Sequence, residues 1–153
     1  MSVEARITSL GLTLPQAPKP VGSYVTCVAA GNLLFLSGVL PFRDGKLTRV
    51  GRVGHEVSIE EGKEDAATVA LNALSIVKDA IGSLDKIRRC VKLTGFVSCG
   101  EDFYRHPEVI NGASDLLFQI LGENGRHARA AVGAVSLPLN SPVEIDFIFE
   151  VAS

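Results

Sequence analysis

Between Gly125 and Gly133 the chain reads Gly-Arg-His-Ala-Arg-Ala-Ala-Val-Gly, and Leu137-Pro138 and Val143-Glu144-Ile145 follow. Arg129 is the side chain of this stretch best suited to work on a ligand. Its guanidinium is planar, stays charged at any working pH, and can donate two parallel hydrogen bonds to a carboxylate. By residue type alone, an ordinary surface ion pair is the commoner use of such an arginine. Glu144 could transfer protons if its position and pKa suited the task. By pattern alone, it is an outward residue on an alternating strand.

Other chemistries lack their motifs. There is no P-loop, no GxGxxG before a helix, no HExxH, no GxSxG and no EF-hand loop. His55, His106 and His127 do not stand at metal-ligand spacing, and solvent-exposed or locally hydrogen-bonded rings account for them. Cys27, Cys90 and Cys99 are odd in number with no CxxC pair, which indicates reduced thiols rather than a disulfide framework or zinc knuckle. Cys27 and Cys90 fall in strand-like runs, whereas Cys99, beside Gly100, is expected to be more exposed. A net charge of -2 gives no overall attraction to nucleic acid or an anionic membrane. The basic run Lys86, Arg88, Arg89 and Lys92 contains no aromatic residue to stack on a base, and reads as a solvated helix-to-strand face.

These residues need elements to position them. With 153 residues, 46% of them hydrophobic, one domain of 1–153 with an ordinary core is expected. Aromatic content is 6% and Trp is absent, so that core is mainly Val, Leu, Ile and Ala. The prolines between Leu14 and Pro20 suggest an extended N-terminal lead of about 1–21, with a first strand starting near Tyr24. Tyr24 to Ala29 and Asn32 to Leu36 are β-prone runs around an Ala30-Gly31 turn. Asp44-Gly45 marks a second reversal before Lys46 to Val53.

Ser58 stands three residues before Glu61, a capping-box spacing that starts a helix; Ala66, Ala70, Ala73, Val77 and Ile81 continue one face, and Gly82 stops it. Asp65, Asn72, Ser75 and Asp79 lie off that stripe. A strand over Cys90 to Val97 follows, with Val91, Leu93 and Val97 on one side. A second helix spans about Pro107 to Leu121. Strands over about Ala128 to Val135 and Val143 to Val151 complete an α+β arrangement of two hairpin-like strand pairs and two long helices on one sheet face. The other face must be solvated or covered by a partner.

Taken together, Gly125 to Gly133, Leu137-Pro138, Val143-Glu144-Ile145, Pro20-Val21-Gly22-Ser23-Tyr24-Val25 and Gly31 to Gly38 closely resemble the RidA/YjgF family of reactive-intermediate deaminases, from about Gly22 to the end. The resemblance implies a chorismate-mutase-like α+β fold with a mixed sheet. It also implies a homotrimer whose sheets pack into a central barrel, with ligand clefts between subunits. Arg129 matches the family arginine that binds the substrate carboxylate, and Glu144 the acidic residue that assists water and proton transfer. Tyr24, Gly38 and Asn111 fall on cleft positions, where a phenol hydroxyl, close backbone approach and an amide fix the ligand; core packing, a turn glycine and a helix-surface amide are the plain alternatives.

The implied reaction hydrolyses a short 2-imino or enamine acid to the 2-oxo acid and ammonia, with no metal or organic cofactor. The expected partners are a small carboxylate and other copies of the chain, with neither nucleic acid nor membrane. The expected compartment is the cytoplasm, since Met1 to Leu10 lacks a signal-length apolar run. Two alternatives stand beside the deaminase: a non-catalytic homotrimer that binds a small carboxylate, and an endoribonuclease, an activity some relatives are named for. The chain departs from the family at Val39, where many members carry Gln, and at Ala130-Ala131, where Ser-Cys is common. Its N-terminal lead and the stretch from Pro41 to Ser58 are longer than in the commonest members.

Overall fold

A computed structural model describes residues 1–153. Seven strands and three α-helices follow in the order α1 (Val3–Ser9), β1 (Cys27–Ala30), β2 (Leu33–Leu36), β3 (Phe42–Arg43), β4 (Lys46–Leu47), α2 (Ile59–Ile81), β5 (Ile87–Ser98), α3 (His106–Leu121), β6 (Ala128–Ala134) and β7 (Val143–Val151). The main sheet runs β1-β2-β7-β5-β6, antiparallel except where β6 lies parallel to β5. It is therefore a mixed sheet, as expected. The last two strands do not pair with each other, because β7 inserts between β2 and β5. The second hairpin is β3–β4, outside the main sheet, turning through Asp44 and Gly45 at φ 52° and 82°.

The strict alternation of β7 sends Val143, Ile145, Phe147, Phe149 and Val151 into a core cluster of 30 buried residues beneath α2 and α3. Strand β5 departs from the expected pattern. Register shifts at Ile87/Arg89 and Cys90/Lys92 turn Cys90, not Val91, inward beside Leu93 and Val97. An extra residue at such a bulge moves the alternation by one. The first hairpin is also displaced: β1 starts at Cys27 rather than Tyr24, and Gly31, at φ 62°, turns the chain together with Asn32.

Helix α2 has the expected capping box: Ser58 Oγ accepts from the Glu61 N–H at 3.1 Å, and Glu61 Oε1 accepts from the Ser58 N–H at 2.9 Å. Its apolar stripe packs on the sheet, yet Asp65, Asn72 and Ser75, off the stripe, are buried too. A second layer covers them. Asn72 spends both amide hydrogens on the carbonyls of Leu40 (3.1 Å) and Phe42 (3.0 Å), and Ser75 Oγ donates to the Pro15 carbonyl at 2.7 Å. These bonds pin the loop after β2 and the proline-rich lead onto the helix. The lead is not extended throughout: Val3–Ser9 is helical, capped by Ser2 Oγ accepting from Ala5 N–H, and buries Ile7.

Sheet registers also define the face turned away from the helices. Val28, Phe35 and Ile148 form one cross-strand row leading to Lys92, and Glu144, Phe96 and Val132 form another. Val28, Phe35 and Val132 are 55%, 41% and 42% exposed. The proline-rich lead and Gly38 cover this face only around Glu144, and leave Val28, Phe35 and Val132 open.

Candidate functional site

The expected site residues fall into two groups. Tyr24, Gly38 and Glu144 line one cleft, and Asn111 and Arg129 line another. The registers explain the separation. Arg129 lies opposite Leu93, a residue of the helix-covered face, whereas Glu144 lies opposite Phe96 on the open face. Within one chain the guanidinium and the carboxylate therefore occupy opposite sides of the sheet.

Glu144 is positioned by an antiparallel bridge outside the regular strands. Val39 N–H donates to the Ile145 carbonyl at 2.8 Å, and Ile145 N–H donates back to Val39 at 3.1 Å. The bridge brings Gly38 against the Glu144 side chain so closely that a Cβ at position 38 would overlap Oε2. Burial raises the Glu144 pKa above its ordinary value, and the Asp146 carboxylate raises it further. The cleft is walled by Pro18, Pro20, Val21 and Phe42, and Tyr24 anchors that wall: its phenolic oxygen accepts from the Val21 N–H at 3.1 Å.

Arg129 projects from edge strand β6 toward α3. Its Nη1 donates to Ser114 Oγ at 2.9 Å and its Nη2 to the Pro107 carbonyl at 3.2 Å. Neither partner is a carboxylate, so the surface ion pair considered for Arg129 is not formed. Ser114 Oγ is 2.8 Å from His127 Nε2, and His127 Nδ1 is 2.7 Å from the Gly125 carbonyl. His127 is thus locally hydrogen-bonded. Its bond to Ser114 could not be foreseen, because the partner sits on another element 13 residues earlier.

The thiols offer little reactivity. Burial pushes Cys90 up to about 12, and burial also raises Cys27 and Cys99. Cys99 is buried rather than exposed, because the end of β5 is covered by the start of α3, where His106 Nε2 lies 3.5 Å from its Sγ. No group of three or more His, Cys, Asp or Glu side chains is arranged to hold a metal ion. No helix is long and apolar enough to cross a membrane.

This sheet order, with two long helices on one face, is the architecture of a known class. The family model "YjgF/chorismate_mutase-like, putative endoribonuclease" matches residues 4–151, and the chain belongs to that family. It is similar to the crystal structure of protein Atu1372 from Agrobacterium tumefaciens, at 48% identity and a TM-score of 0.91, over 97% of this chain and 92% of that one. A "putative endoribonuclease" from Shewanella oneidensis MR-1 superimposes with a TM-score of 0.95 at 33% identity, over 99% of this chain and 100% of the other. Among curated relatives, the 2-iminobutanoate/2-iminopropanoate deaminase of Dermatophagoides farinae is 30% identical, over 90% of this chain and 92% of its own length.

Proposed function

We propose that the protein hydrolyses short 2-imino or enamine acids to 2-oxo acids and ammonia, in clefts shared between the subunits of a homotrimer. The observation that carries this reading is the placement of Arg129: an edge-strand guanidinium bonded only to neutral acceptors, with charge left over for a carboxylate. Glu144, with its raised pKa, supplies the proton-transfer group on the other side of the sheet. A neighbouring copy that packs on the exposed Val28, Phe35 and Val132 face would bring one chain's Glu144 cleft to another chain's Arg129. Arg129 then holds the carboxylate, a water attacks the C=N carbon, and Glu144 moves the protons to the departing ammonia. The name of the Dermatophagoides relative supports the substrate class.

The test is to generate 2-iminopropionate in situ, trap what remains with semicarbazide, and compare the wild type with Arg129→Ala. Faster loss of imine with the wild type, abolished by the substitution, is the expected result. A folded wild type that accelerates no imino acid but binds 2-oxo acids through Arg129 would replace the deaminase with a carboxylate-binding protein. The endoribonuclease reading gains little from the charge pattern, since Glu144, Asp146 and Glu150 share the open face with Arg89 and Lys92, and Arg89 is paired with Glu150.

A further inference from the structure

With a neutral His127 ring, the side chains that hold Arg129 form a chain of hydrogen bonds with one consistent direction. Gly125 contributes a carbonyl, which can only accept, so His127 Nδ1 carries the proton of that 2.7 Å bond. In the neutral ring Nε2 is then an acceptor, and the hydroxyl of Ser114 donates to it at 2.8 Å. At the far end a guanidinium can only donate, so Ser114 Oγ accepts from Arg129 Nη1 at 2.9 Å. Both ends of the chain enforce the same assignment. A serine hydroxyl rotates freely when alone, but here its proton is held by the imidazole and its lone pairs are left facing the arginine.

The origin of the chain is rigid. Gly125 is buried against α3 so tightly that a Cβ would collide with the Leu117 carbonyl, which is backbone and cannot give way. This close approach fixes the Gly125 carbonyl relative to Ser114, which projects from the same helix. The relay thus ties the loop before β6, the middle of α3 and the edge strand into one frame around the guanidinium.

We propose that Ser114 and His127 are positioning residues that pre-orient Arg129 for a planar carboxylate; the inference rests on the deaminase reading above. Of the five guanidinium N–H groups, Ser114 and Pro107 occupy two, which leaves three for a ligand in the open cavity bounded by Asn111 and His127. Bidentate recognition of a carboxylate fixes the guanidinium plane, and holding that plane before the ligand arrives removes an ordering cost that an unrestrained arginine would meet on binding. In this role Ser114 and His127 act through Arg129, to which Ser114 is bonded directly and His127 through Ser114.

The experiment measures kcat and KM for 2-iminobutanoate generated in situ, together with the Kd for 2-oxobutanoate, on folded full-length variants. Ser114→Ala suits a helix interior and keeps the fold. It is expected to raise KM and Kd roughly tenfold, the worth of a hydrogen bond to a charged group, with kcat little changed. His127→Phe should match it, and His127→Gln, which keeps an acceptor near the Nε2 position, should restore binding. In the Arg129→Ala background, Ser114→Ala should add nothing, because its effect passes through the missing guanidinium. Binding by Ser114→Ala equal to the wild type, with Arg129→Ala defective, would overturn the positioning role and leave the deaminase reading intact. A wild type that neither turns over the imine nor binds the 2-oxo acid would overturn both.

Discussion

Gly38 and Glu144 are in such close contact that the carboxylate occupies the space a Cβ would need. The obstruction would be the end of a flexible side chain rather than backbone. Gly38→Ala should therefore cost little stability while displacing the carboxylate from its cleft. Thermal unfolding and imine turnover measured on the same sample should separate: a shift of only a few degrees in Tm, set against a fall in kcat of at least about tenfold, since misplacement of a catalytic group by about 1 Å is costly. Unchanged kcat would remove Glu144 from the mechanism.

Burial raises the pKa of Glu144 and Asp146 raises it further, so Glu144 keeps its proton to a higher pH than a free glutamate. Asp146→Asn removes the like charge and should move the limb of the pH–rate profile that reports Glu144 to lower pH. Glu144→Gln should abolish that limb and reduce kcat by about 10²–10⁴ while affecting KM less. A limb that stays in place in Glu144→Gln belongs to another group.

Asp65 is 3% exposed, its Oδ2 has no hydrogen-bond partner, and Arg49 Nη1 is 3.7 Å from its Oδ1. Burial raises its pKa to about 6, against the opposing pull of Arg49 and Arg43. The folded state therefore binds this proton more tightly than the unfolded chain does. Stability is lost as pH rises from the ordinary value of 3.8 through about 6. Asp65→Asn removes that dependence, so its stability relative to wild type should improve between about pH 4 and about pH 7, by at most about 3 kcal/mol. Denaturant unfolding at the two pH values measures it; an equal difference at both would mean that Asp65 titrates normally.

The parts of the fold that the sequence foretold are those set by local chemistry. The Ser58 capping box, the Asp44-Gly45 turn and the alternation of Val143 to Val151 act within a few residues, and each stands where its pattern put it. The bulges in β5 follow from pairing with β7, and they turn Cys90 rather than Val91 to the core, which local alternation does not show. Burial of Asn72 and Ser75 depends on a layer formed by the lead and the loop after β2, distant in sequence. The site divides in the same way. Arg129 and Glu144 could be proposed from residue type and resemblance, but Ser114 and His127 carry no pattern of their own. Their partnership exists only because β6 lies beside α3.

Opposite-face placement of Arg129 and Glu144 leads to the most decisive prediction. If each cleft takes its arginine from one copy and its glutamate from the next, Arg129→Ala and Glu144→Gln inactivate different halves of the same site. Mixing the two inactive chains and allowing subunits to exchange should create some clefts in which both groups are native. In a ring of randomly mixed copies, half the clefts receive an intact arginine and half of those an intact glutamate, so activity should recover to about one quarter of wild type. Phe35→Lys places a charge on the exposed sheet face and should lower the mass measured by light scattering toward that of one chain, with activity lost in parallel. Recovery in the mixture requires that the two residues act across an interface, since neither chain alone holds a complete pair. No recovery, with subunit exchange verified by differently tagged chains, would mean that the two groups do not meet in one cleft, and Glu144 would then need a partner within its own chain.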